Sequence, residues 1–96
     1  MALNAFICIG NSDNKLTQKR WAEFIEDIDL CAKLFQVHGR WFSAPDSQFQ
    51  NAAWCIEGSK PQIDALRPVL ALMAKRYEQD SIALTVGEPE FVEASP

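Results

Sequence analysis

Hydrophobic positions in this chain alternate between two spacings, one suited to strands and one to helices. Residues 3–9, from Leu3 to Ile9, are apolar apart from Asn4, carry no charge and are rich in strand formers. They stop at Gly10-Asn11-Ser12-Asp13-Asn14, a cluster of turn formers. Trp21, Phe24, Ile25, Ile28, Cys31, Ala32 and Phe35 then recur at the spacing of an amphipathic helix. Thr17 is suited to cap it, and Leu16 and Trp21 are placed as a hydrophobic staple. The other side of this helix carries Glu23, Glu26 and Asp27, with Asp29 and Lys33 spaced as a helical ion pair.

The second half repeats the order. Residues 36–43 read as a strand whose polar alternation, with His38 and Arg40 in its middle, predicts an edge position. Residues 44–50 form a long connection with a Pro45-Asp46 turn signal. A third strand runs from Ala52 to Glu57, charged only at its end, and Gly58 is expected to close it. Ser59 and Gln62 make a capping box with Pro61 in the first turn. Ile63, Leu66, Leu70, Met73, Ala74 and Tyr77 follow as a buried helical stripe. Pro68 interrupts that stripe and is expected to kink the helix or split it near Arg67. The helix ends by Asp80-Ser81 without a glycine cap, and residues 82–86 read as the last strand. Gly87-Glu88-Pro89-Glu90 breaks it, and Phe91-Val92 is expected to add a short edge segment or to pack on the body. The expected domain is a single one over 1–93, with 94–96 a frayed tail.

The order β-α-β-β-α-β resembles the ferredoxin-like superfold over nearly the whole chain, as a pattern of elements. That resemblance implies an α+β sandwich: a four-stranded antiparallel sheet with both helices on one face, strands 1 and 3 central, 2 and 4 at the edges. Period-two geometry then sends Ala5, Ile7, Ile9, Val37, Trp41, Trp54, Ile56, Ile82, Leu84 and Val86 toward the helices. Phe6, Cys8, His38, Arg40, Phe42, Ala53, Cys55 and Thr85 go to the open face. An apolar patch of that kind is rarely left bare without a use.

Composition narrows the function. Hydrophobic residues are 48% and charged residues 23% of the 96, ordinary for a globular chain. A net charge of −4 argues against direct nucleic-acid binding, which rests on cations neutralising phosphates, and suits a basic protein partner. Three cysteines without close pairing, Cys8, Cys31 and Cys55, read as buried thiols of a reducing compartment. The N-terminus lacks the basic region of a signal peptide, and no apolar run reaches membrane-spanning length. A cytoplasmic protein without membrane contact is expected.

Candidate chemistry is sparse. Cys8, Cys55 and His38 converge on the open face, but three ligands are too few for a closed zinc site, so neither metal nor cofactor is expected. His38 and Arg40 are the candidate catalytic pair, one moving a proton and one holding an anion, with Asp46 and Ser47 as a polar rim. No nucleophile elbow, paired-carboxylate spacing or phosphate loop supports them. Phe6 and Phe42 beside Arg40 suggest a base-stacking platform, but the third strand lacks the basic and aromatic pattern such a platform uses. Trp41 and Phe49 flank the long connection as candidate partner anchors. Glu23, Glu26 and Asp27, with Glu88, Glu90 and Glu93 in the tail, offer carboxylates as phosphate substitutes.

These features point to a small acidic protein-interaction domain, non-enzymatic, acting through its open sheet face or the 44–50 loop. Homodimerisation or a protein partner is expected, with Phe6, Phe42, Trp41, Phe49 and the acidic helix side as contact residues. One alternative is an enzyme or ligand-binding domain of dimeric α/β-barrel type, its pocket enclosed between open faces by Phe6, His38, Arg40 and Phe42. Another is an acidic inhibitor of a nucleic-acid-binding protein.

Overall fold

In the computed structural model, which describes residues 2–11, 13 and 15–95, the predicted order of elements is present. They are β1 (Ala2–Gly10), α1 (Gln18–Ala32), β2 (Gln36–Phe42), β3 (Asn51–Ser59), α2 (Lys60–Arg76) and β4 (Ala83–Gly87). The strands form one antiparallel sheet in the order β2-β3-β1-β4, and the fold is ferredoxin-like. Ser12 and Asn14 of the first turn cluster, Met1 and Pro96 lie outside the described residues.

β1 and β3 are central, each with a strand on both sides and one face packed on the helices. Ala5, Ile7 and Ile9 of β1 and Ala52, Trp54 and Ile56 of β3 are buried under the helices. They meet Phe24, Ile28 and Ala32 of α1 and Ile63, Leu66 and Leu70 of α2 in a continuous core. Both helices start at the predicted caps. Thr17 Oγ1 accepts from Arg20 N at 3.2 Å, and the Ser59–Gln62 box is reciprocal.

Several local expectations fail for identifiable reasons. Gly58 does not close β3; it lies inside the strand, buried, with Phe35 so close that an added Cβ would meet the ring at 2.7 Å. Pro68 does not split α2, which runs through it as one helix; the residue is on the exposed side, where water can serve the carbonyl left without a donor. The missing glycine cap is replaced by Glu78, which takes the left-handed conformation at φ 56°. Phe91 and Val92 form no edge strand and are barely covered: each is 87% exposed, and residues 88–95 carry no regular structure.

The turn after β1 is not merely polar. Asn11 is buried, donating from Nδ2 to Leu16 O and Gln50 Oε1 and accepting from Leu16 N at 3.0 Å. Gln50, also buried, donates to Gln18 Oε1 at 2.7 Å. These amides tie the β1–α1 turn to the end of the 44–50 connection with their polar groups satisfied.

Candidate functional site: the open sheet face and its edge

The face away from the helices is built by alternation from β1 and β3, and from β2 after a change of phase. Val37 pairs with Ile56 and Gly39 with Cys55, so His38 is an extra residue and the strand bulges there. A bulge shifts every later side chain to the other face. Trp41 therefore pairs with Ala53 on the open side, whereas Arg40 pairs with Trp54 and Phe42 with Ala52 on the helix side. This reverses the expected positions of Trp41, Arg40 and Phe42.

The reversal has clear contacts. Phe42, still 43% exposed, meets the Trp54 ring edge-on at 5.7 Å. Arg40 Nη1 donates to Asp29 Oδ1 at 2.8 Å, and Trp54 Nε1 donates to the same oxygen at 3.0 Å. Desolvation pushes the Asp29 carboxyl up, but hydrogen bonds from Arg40 and Trp54 and the charges of Arg40 and Lys33 hold it below its ordinary value. The gap that remains there is a small open cleft lined by Asp29, Lys33, Val37, His38, Gly39 and Arg40.

The open face then has a definite composition. One row across the sheet is Trp41, Ala53, Cys8 and Ala83; the next is Gly39, Cys55, Phe6 and Thr85. Trp41 is 55% and Phe6 46% exposed, and between them the floor is small side chains. The ionisable rim is His38 Nε2 against Glu57 Oε1 at 3.0 Å. The cysteines are free, with Cys8 exposed and Cys31 and Cys55 half-buried, so the expectation of buried thiols fails for Cys8. Burial, and then the Asp27 charge, pushes the Cys31 thiol up, which suppresses its thiolate. Among the described residues no group of three potential ligands is placed to hold a metal.

The remaining candidates scatter. His38 and Arg40 face different partners, Glu57 and Asp29, so the proposed proton carrier and anion anchor are each engaged elsewhere. A pocket between open faces loses Arg40 and Phe42, and a base-stacking platform loses the same two. Phe49 is 61% exposed in the connection, and its ring does not pair with Trp41 among the described residues. Asp46 and Ser47 lie in the same connection, where Ser47 N donates to Ala44 O.

The acidic side of α1 is largely neutralised. Glu23 is bridged to Arg20 at 2.9 Å, and Asp27 accepts from Tyr77 Oη and lies 3.6 Å from Arg76. Tyr77 is stacked on Phe24 at 4.5 Å, and burial together with the Asp27 carboxylate pushes its hydroxyl to about 12 against the opposing charges of Arg76 and Arg20. Glu26 alone of the three stays exposed without an ion pair among the described residues.

No protein-family model and no curated protein matches the chain. A solved structure, the de novo designed protein Foldit4, is similar at TM-score 0.54 and 11% identity over 93% of this chain and 97% of that one. At that identity the likeness speaks for the fold alone. No helix among the described residues is long and apolar enough to cross a membrane.

Proposed function

We propose that this chain is a protein-interaction domain that pairs with a second copy of itself through the open sheet face. The supporting observation is the row Trp41-Ala53-Cys8-Ala83 beside Gly39-Cys55-Phe6-Thr85, an apolar and uncharged surface in a chain of net charge −4. A surface made for a basic partner would carry acid. This one carries carboxylates only at its rim: Glu57, bonded to His38, and Glu88, which lines a shallow cleft with Asn4, Phe6 and Thr85. A second copy brings an equally neutral face, with large rings to set against a floor of small residues.

The area sets the strength. Four strands about 4.8 Å apart and five or six residues long span roughly 350 Å² in plan. With side-chain relief two copies bury on the order of 1,000 Å², the low end for specific interfaces. The pairing is therefore expected to depend on concentration.

Cys8, exposed at the centre of the face, is a built-in reporter. Its alkylation rate is expected to fall as protein concentration rises, in step with a doubling of mass by light scattering. Trp41→Arg is expected to abolish the protection without changing the melting temperature of the dilute monomer, because Trp41 is 55% exposed. A Cys8 rate independent of concentration, up to millimolar protein, defeats the reading.

A further inference from the structure

The two edges of the sheet are built differently. β2 carries His38, Arg40 and a bulge, devices that discourage another strand from adding to it. β4, Ala83-Leu84-Thr85-Val86-Gly87, has no charge, no proline and no bulge, and its outer side is unpaired. α2 packs over β1 and β3, so the core-side residues Leu84 and Val86 of β4 stay half-exposed. A shallow groove of about 690 Å³ is left between α2 and β4. Its apolar floor is Leu70, Ala74, Ile82 and Leu84; Arg67 and Lys75 stand two helical turns apart along its α2 wall, and Asp80 lies at the end where α2 leads into β4.

The same chain carries a segment of matching chemistry. Residues 88–93 read Glu-Pro-Glu-Phe-Val-Glu, and Phe91 and Val92 extend into solvent at 87% exposure. Two adjacent large apolar side chains so exposed, with glutamates on both sides, are suited to an apolar groove with a lysine, Lys75, on its wall.

We propose that the groove between α2 and the free edge of β4 receives residues 88–93 of a second copy, added as an extended strand along β4. Backbone pairing along the bare edge supplies the register, and Phe91 supplies the anchor on the apolar floor. Lys75 faces the glutamates; Arg67 adds to its charge but is shared with Asp64 at 3.5 Å. The donor is a second copy because the chain's own residues 88–95 form no strand and leave Phe91 and Val92 exposed, and each molecule in solution carries both halves of the contact. This surface is separate from the open face and stands whether or not that face pairs.

The first test uses the full chain with Phe91→Ala, whose own tail is disabled, and a fluorescent peptide of residues 88–95. Saturable binding is expected, weakened about five- to tenfold by Lys75→Glu in the receptor. Part of that loss is expected to return with Glu93→Lys in the peptide, and added salt is expected to weaken binding. No binding at millimolar receptor, or binding indifferent to Lys75→Glu, overturns the groove. The second test separates donors. A full chain with Trp41→Arg, its open face disabled, is expected to retain concentration-dependent association that Phe91→Ala removes. If that chain is monomeric at every concentration while the peptide binds, the donor is the chain's own tail and the second-copy assignment is overturned. Cys8 protection reads the open face independently, so the two proposals fail separately.

Discussion

Asp29 holds more of this structure than its charge suggests. One of its oxygens receives both the Trp54 indole, from inside the core, and the Arg40 guanidinium, from the sheet edge. Asp29→Ala leaves a buried indole donor and an arginine without their acceptor. A destabilisation of about 1–3 kcal/mol is expected in urea unfolding, with Asp29→Asn milder because its amide oxygen can still accept from Trp54. The pH dependence has a definite sign. The folded carboxyl titrates below its ordinary value, so its contribution is complete above the unfolded carboxylate range and is lost as pH falls through the lower, folded value. Acid unfolding is expected to become shallower in Asp29→Asn. The Asp29–Lys33 spacing was legible along the helix, and the pair is present at 3.6 Å. The Arg40 and Trp54 bonds were not, because they depend on the phase of another strand.

At the scale of elements, end signals were the best guides. Thr17, Ser59 and Gln62 act locally, within one turn, so their spacing suffices to locate a helix start. The end of α2 is less economical. Glu78 occupies a left-handed conformation that costs a side-chain-bearing residue about 1–2 kcal/mol. Glu78→Gly relieves that strain but loosens the unfolded chain, for an expected net gain of about 0.5–1 kcal/mol, read as a higher melting temperature. β2 shows where element reasoning fails. Strict alternation put Trp41 inside and Arg40 and Phe42 outside, and one extra residue at His38 exchanged them. Gly39 inside a strand was the available signal, since strand glycines often accompany bulges. It indicates that the phase can change without saying by how many residues.

For the whole molecule, the distribution of charge matters more than its sum. A chain of net charge −4 repels its copies, yet the two central rows of its open sheet face and the strand β4 itself carry no charge, which is confined to Glu57 and Glu88 at the rim and to the groove wall. The two proposed contacts therefore respond oppositely to salt. Open-face association, measured on the Phe91→Ala chain by Cys8 protection, is expected to tighten as salt screens the repulsion between copies. Tail binding to the groove is expected to weaken over the same range, because it rests on opposite charges. An equal response in both assays would mean that the charges assigned to the two surfaces do not govern them. The acidic side of α1 has less to offer than its sequence implies, because Arg20, Arg76 and Tyr77 already occupy Glu23 and Asp27.

Element order, helix starts and the central placement of β1 and β3 follow from the sequence itself. The first two arise from spacing and capping within short stretches of chain, and the central placement from the order of elements that results. The tertiary structure alone decided the phase of β2, the burial of Asn11 and Gln50 and the close contact of Phe35 with Gly58. It also decided which edge of the sheet is left bare. These depend on distant segments meeting: a bulge is defined only against its partner strand, and an amide is buried only when another loop closes over it. Trp41 is the clearest case, a residue whose face was set by the pairing of β2 with β3 and not by its neighbours in the chain.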